Sequence, residues 1–348
     1  MILRGFAVLG VLALVLGVLV VVGNDYRTEE ERITVPVPGG TLDAVVARPR
    51  GSAHGLVVLV HGDGAVEATH DGLYRPWFEA AADAGFATLS WSKPGVGGSS
   101  GNWLSQSMDE RAAEVSHVLD WAAAQPDLPT GTTVLWGASQ AGWVLPQVVR
   151  SRSDVDAVVA VSPAVNWLRQ GRFNLLAELE HDGADAAARR EAIAASDRTR
   201  ALLESGADHA RYLAQTTEEH PVDAQRWGFV LRNFRADATA DLQAAAARHV
   251  PVLLQLGSQD RNVDVEETEA TYRRILGDDV RVARFRATHS MARPAVEESD
   301  ALGLLTAALR PRELLAPGVL ATYREFLRTL PRSSPPPQAP GSAPGSWR

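Results

Sequence analysis

The sequence predicts an α/β protein: a mostly parallel central sheet with helices on both faces and a helical insertion between two of its later strands. Two observations predict it. Short, continuous Val/Leu/Ala-rich runs alternate with longer stretches of helical pattern, which is how strands buried on both faces of a parallel sheet read. Between residues 165 and 248 that alternation stops. The stretch "EHDGADAAARREAIAASDRTRALLESGADHARYLAQ" carries Ala, Glu and Arg at helical spacing and no strand-like run.

In chain order, "ITVPVPGGTLDAVVARP" (33–49) reads as a hairpin turning at Gly39-Gly40. Strands follow at 55–62, 86–92, 132–137 and 157–163, with helices at 74–84, 108–125 and 140–150 between or after them. Beyond the insertion come a strand at 250–257, a helix at 264–276, a strand at 280–285 and a helix at 317–330. An insertion placed between two strands lies over the end of the sheet from which its flanking segments emerge. The expected organisation is therefore an N-terminal segment (1–26), a first core part (27–164), a helical cap (165–248), a second core part (249–330) and a tail (331–348). The tail, "PRSSPPPQAPGSAPGSWR", has almost nothing to bury and is expected to be extended or disordered.

Composition narrows the function. With 45% hydrophobic and 22% charged residues over 348 positions, the chain can bury a substantial core. A net charge of −8 lacks the basic footprint that a nucleic-acid partner requires. There is no cysteine, so disulfides, a thiol nucleophile and cysteine-ligated metals are excluded. Lys93 is the only lysine; the remaining side-chain cations are arginines.

The N-terminus holds an uncharged run from Gly5 to Gly23. As a helix at about 1.5 Å per residue it would span roughly 28 Å, near the thickness of the bilayer hydrocarbon core. A cleavable signal has a shorter apolar region ending at small residues, and Val21-Val22-Gly23 fits that poorly. The expectation is an uncleaved single span at the cell membrane with the catalytic domain outside the cytoplasm; the alternative is secretion after signal cleavage. Arg4 before the run and Arg27 and Arg32 after it leave the orientation weakly determined.

In open parallel sheets, ligands bind beyond the carboxyl ends of the strands. After the 132–137 strand comes Gly137-Ala138-Ser139-Gln140-Ala141-Gly142, a strand-to-helix turn of the form G-x-S-x-G with Ala141 in the last glycine's place. Such a turn holds a nucleophile clear of the fold, although a tight structural turn would use the same small residues. Asp260 follows the 250–257 strand and His289 follows the 280–285 strand. A hydroxyl, a carboxylate and an imidazole after three different strands, in the order Ser, Asp, His, form the constellation of nucleophilic acyl transfer.

On these residues the chain resembles the α/β-hydrolases over 33–330. The stretches "VLVHGDG", "DAGFATLSWSKPGVGGSSGNW", "GASQAGWVLP" and "LGSQDRNVDVEET" are similar to a bacterial branch related to dienelactone hydrolase-like and serine-aminopeptidase-like esterases. The resemblance implies Ser139 as nucleophile, His289 as base and Asp260 as the acid that orients it. It also implies an oxyanion hole from the backbone N–H groups of Asp63 and Gln140, a small-molecule or lipid-like acyl substrate, and no metal or cofactor. Ala141 for glycine and Ala138 where histidine is common are departures that touch substrate preference more than chemistry. Esterase, thioesterase, peptidase and acyltransferase share this triad, and a non-catalytic binding protein would retain the fold.

Rival residues have plainer readings. Asp264 is placed to cap the helix that follows it. Lys93 is a possible base for Ser139 but reads as a loop lysine with structural contacts, and His61 as structural within the oxyanion loop. His54, His70, His117, His181, His209, His220 and His249 show no pairing at metal spacing. Trp167, Phe173, Trp227, Phe229 and Phe234 fit an acyl pocket and the insertion's own core equally well.

Overall fold

The computed structural model describes residues 17–331. Eight strands form one sheet in the order β1-β2-β4-β3-β5-β6-β7-β8. β1 (Thr28–Val37) and β2 (Gly40–Pro49) make an antiparallel hairpin, and β2 also runs antiparallel to β4. β3 (Gly55–Val60), β4 (Phe86–Trp91), β5 (Thr133–Ala138), β6 (Ala157–Val161), β7 (Val252–Gly257) and β8 (Val280–Phe285) are parallel. The apolar runs therefore make the parallel sheet that their composition predicts.

Three details differ from the sequence reading. The hairpin starts earlier, at Thr28, and Val37 pairs with Gly40, so the turn is Pro38-Gly39. Its first residues, "TEEER", lack apolar alternation because β1 is an edge strand, where charges are tolerated and discourage pairing with other chains. Glu30 and Glu31 there pair with Arg75 and Arg48. Between Ser139 and Trp143 the chain makes a 3-10 turn before the α-helix begins at Leu145. A helix at Asp300–Leu309 was not legible, because its apolar residues follow no amphipathic period.

The helices flanking the first strands are α1 (Arg75–Ala82), α2 (Met108–Ala123) and α3 (Leu145–Ser151). Five helices lie between β6 and β7: α4 (Trp167–His181), α5 (Ala186–Glu204), α6 (His209–Gln215), α7 (Ala224–Asn233) and α8 (Thr239–Ala246). Then follow α9 (Val265–Leu276), α10 (Pro294–Glu297), α11 (Asp300–Leu309) and α12 (Val319–Thr329). The first four helices of the insertion each start at an Asn or Asp whose side chain accepts a first-turn N–H: Asn166, Asp185, Asp208 and Asp223.

Alternation along the strands divides the core. Leu56, Val58 and Val60 of β3 join the cluster on one face of the sheet, and Val57 and Leu59 join the cluster on the other. Burying each such side chain contributes roughly 1.5–3 kcal/mol. The insertion has a small core of its own around Leu203, Tyr212, Trp227 and Phe234.

The predicted membrane run, Gly5–Gly23, lies outside the described residues over 5–16; its end, 17–23, is helical. Among the described residues no helix is long and apolar enough to cross a membrane. Apart from Pro331, the predicted tail also lies outside the described residues.

Candidate active site

Ser139 follows directly on β5 with φ of +53°, a left-handed conformation that is strained for a residue bearing a Cβ. The close approach that forces this turn falls on its glycines. A Cβ at Gly137 would lie 2.7 Å from Ala141 Cβ, and one at Gly142 would lie 2.3 Å from the Ala164 oxygen. Ala141 is fully buried and fits because Gly137 opposite it has no side chain. The loop after β3 arrives beside the turn: a Cβ on Gly62 would lie 3.3 Å from Ser139 Cβ.

Asp260, in the loop after β7, has a fully buried side chain. One carboxylate oxygen accepts the N–H groups of Asn262 and Val263 at 2.8 and 2.9 Å, and the other accepts His289 Nδ1 at 2.8 Å. The donor to Asp260 must be Nδ1–H, which leaves the His289 Nε2 lone pair free to take a proton. The loops that carry these two residues are laced together. Gln259 N–H donates to the Ala287 carbonyl, and Glu297 accepts from Thr288 and Ser290 on either side of His289. Asp264 caps α9 by accepting from Glu266 N and Glu267 N, so the two neighbouring acids have different partners.

Ser139, His289 and Asp63 line the same two cavities. One, of about 420 Å³, is walled by apolar side chains including Val66, Leu73, Trp136, Leu314 and Leu315. The other, of about 290 Å³, is polar and is bounded by Gln140 and by Trp167, Gln170, Asn174 and Arg226 from the insertion. The insertion's aromatics divide accordingly. Trp167 lines the polar cavity and stacks on Trp143, Trp227 and Phe234 fill the insertion's core, and Phe229 joins the main core. Phe173 lines a separate surface pocket.

The segment His61-Gly62-Asp63 is held from behind by buried cations. Lys93, 2% exposed, donates from Nζ to the Gly62 carbonyl at 2.5 Å and lies 4.7 Å from the Trp103 ring centroid. Burial, reinforced by the nearby Arg111 charge, pushes the Lys93 pKa well below the ordinary lysine value. Arg111, also buried, donates to the His61 carbonyl at 2.7 Å and to Gln140 Oε1. Gln140 Nε2 in turn donates to Asp63 at 3.0 Å, and Arg226 clasps both oxygens of that carboxylate. Burial alone would raise the Asp63 pKa, but Arg226 and Lys93 hold it below the usual carboxylate range. His61 donates to the Trp91 carbonyl, and burial with Lys93 nearby lowers its pKa to about 3, so it stays neutral.

Arg111 and Arg226 were not legible as site residues. Each reads as one more arginine on a helical stretch, and only the fold brings them to the His61–Asp63 segment.

A family profile described as serine aminopeptidase, S33, matches residues 51–291. The chain belongs to this family. The S33 chain also aligns with solved α/β-hydrolase structures. An esterase from Pyrococcus furiosus covers 87% of this chain and 92% of its own, at 16% identity and a TM-score of 0.56. Est1E from Butyrivibrio proteoclasticus, solved with ferulic acid bound, covers 85% and 96% at 15% identity and a TM-score of 0.54. A dienelactone hydrolase from Anabaena variabilis covers 88% and 99% at 16% identity and a TM-score of 0.51. At these identities the likeness establishes the fold. No curated protein matches the sequence.

Proposed function

We propose that this α/β-hydrolase cleaves carboxylic esters through an acyl-enzyme on Ser139. The observation that carries the reading is the hydrogen bond from His289 to the buried Asp260, set beside a strained Ser139 that shares two cavities with His289. His289 takes the hydroxyl proton as Ser139 Oγ attacks the carbonyl carbon, and Asp260 fixes the imidazole tautomer and stabilises its cation. His289 then passes the proton to the leaving alcohol, activates water against the acyl-enzyme and restores Ser139.

Charge developing on the carbonyl oxygen falls to the N–H groups of Asp63 and Gln140. Both belong to peptide units whose carbonyls are tied on the far side: Gly62 O accepts from Lys93, and Ser139 O accepts from Ala164 N at 2.9 Å. A trans peptide points its N–H opposite to its C=O, so fixing the carbonyl aims the donor. The Lys93 amino group donating to the Gly62 oxygen also draws electron density from that peptide and strengthens its N–H as a donor.

The division of space favours an acyl chain in the apolar cavity and a polar alcohol portion under the insertion, which would act as a cap. Gln170 offers a buried carbonyl oxygen without a partner at that polar side. An aminopeptidase reaction would require a carboxylate to receive the substrate ammonium. Asp63 is the one carboxylate lining either cavity among the described residues, and Arg226 already occupies it. Ester cleavage is favoured on that ground over the peptidase reading. Thioester cleavage and transfer to an acceptor other than water use the same groups. The Gly5–Gly23 run would hold the enzyme at a membrane.

The test is covalent labelling of the folded protein by a fluorophosphonate, with hydrolysis of a short-chain p-nitrophenyl ester measured alongside. Ser139→Ala should abolish both. A folded wild-type protein that neither labels nor hydrolyses would overturn the proposal. Product analysis with competing alcohols separates hydrolysis from transfer.

A further inference from the structure

Of the eleven exposed large apolar side chains among the described residues, eight fall in two groups. Val18, Leu19, Val20, Val21 and Val22 form one group, and Leu302, Leu304 and Leu305 of α11 form a second. α11 is apolar along most of its length yet buries none of its residues. Leu304 is 74% exposed. A helix that is apolar all round and left uncovered by the described residues points to a further partner, since soluble surfaces rarely carry contiguous apolar patches of this kind.

The two groups meet. Asn24 Nδ2 donates to the Ala308 carbonyl at 2.8 Å, and Arg312 donates to the carbonyls of Gly23 and Asp25 at 2.6 and 3.0 Å. Glu79 of α1 receives the same Arg312 guanidinium, anchoring the junction to the core. Immediately after α11, Pro311, Leu314 and Leu315 form part of the wall of the apolar cavity that reaches Ser139. Leu73, on the same cavity, is 44% exposed, so the cavity wall reaches the surface there. An apolar surface, an apolar chain segment and the opening of an apolar cavity thus share one side of the molecule.

We infer that this side rests on a lipid bilayer, with α11 inserted among the acyl chains so that a long-chain ester passes from the lipid phase into the cavity beside Ser139. The bilayer is the occupant that both groups indicate. The sequence preceding Val18 continues uncharged back to Gly5, so whatever takes the 17–23 helix must accept a long apolar run, and α11 lies against the end of that run. The entry route rests on the proposed role of Ser139; the seating of α11 on lipid does not.

Because the chain has no cysteine, Leu304→Cys in the full-length protein gives a single site for an environment-sensitive fluorophore. Phosphatidylcholine vesicles should shift its emission to the blue and raise it severalfold, and lipids carrying a spin label on the acyl chain should quench it. Emission unchanged by vesicles would overturn the inference. So would emission already blue without lipid, since that would mean that another segment of this chain or a second copy covers α11. In parallel, Leu302→Gln/Leu304→Gln/Leu305→Gln should lower hydrolysis of a palmitoyl ester embedded in vesicles at least tenfold. A water-soluble acetate ester should change less than twofold. Equal rates on the embedded ester would refute the entry route. Loss of both activities in the wild type would instead strike the esterase reading, while the fluorescence result would still stand.

Discussion

Lys93→Met removes the one contact that ties the Gly62 carbonyl from behind, and the effect can be worked from the site. The substitution keeps the length and apolar stem of the side chain against Trp103 and deletes the amino group that donates to Gly62 at 2.5 Å. The peptide that follows, with its N–H on Asp63, is then free to rotate away from the reacting carbonyl. Complete loss of one oxyanion donor costs about 10²–10³ in kcat, or about 2.7–4 kcal/mol. Methionine leaves the donor present but unaimed, so kcat should fall by about 10–100-fold, within that limit. KM should change less than about threefold, because the lost interaction belongs to the transition state. Stability should move little: an unpartnered buried carbonyl costs roughly 1–3 kcal/mol, and deletion of a buried amine offsets part of it. The assay is steady-state hydrolysis of a short-chain p-nitrophenyl ester with thermal unfolding as a control. A kcat within twofold of wild type in a folded variant would refute the reasoning, as would a loss expressed only in KM.

Four further outcomes are expected. Asp260→Asn should lower kcat by about 10⁴ with the fold retained, as a wrong imidazole tautomer does in this type of triad. Asp264→Ala should cost only about 1 kcal/mol of stability from a lost helix cap and leave kcat within twofold; the reverse ranking would reassign the acid. His61 has a folded pKa of about 3 against an ordinary value of 6.5, so the unfolded chain binds a proton that the folded one refuses. Its contribution to stability is complete above about pH 6.5 and is lost as pH falls toward 3, at about 1.4 kcal/mol per pH unit. Urea unfolding from pH 7 to 4.5 should show that slope in the wild type and lose it in His61→Asn; parallel slopes would refute it. Gly142→Ala should destabilise by about 1–3 kcal/mol through overpacking against the Ala164 backbone, read as a lowered Tm.

Local pattern was enough to read the sheet and the order of the candidate site residues along it. Val/Leu runs such as 55–60 and 252–257, short and alternating with helical stretches, read as strands covered on both faces, and they are. Ser139, Asp260 and His289 were visible because each follows such a run, and parallel strands bring their carboxyl ends to one edge. The hairpin's first residues and α11 were missed for opposite reasons. The former are charged because they lie on an edge, and the latter is apolar without a period because none of its residues is buried among the described residues.

Which partners surround those residues depends on the packed fold. Lys93, Arg111 and Arg226 come from three separate segments to meet at His61–Asp63, and nothing local to an arginine or lysine records what it will face. Asp260 and Asp264 are likewise the same side chain four residues apart. One is turned inward to an imidazole and the other outward to a helix end, a difference set by where the loop after β7 meets the loop after β8. Periodicity and composition act over neighbouring residues and fix elements; hydrogen-bonded networks depend on distances across the fold and exist only once those elements have packed.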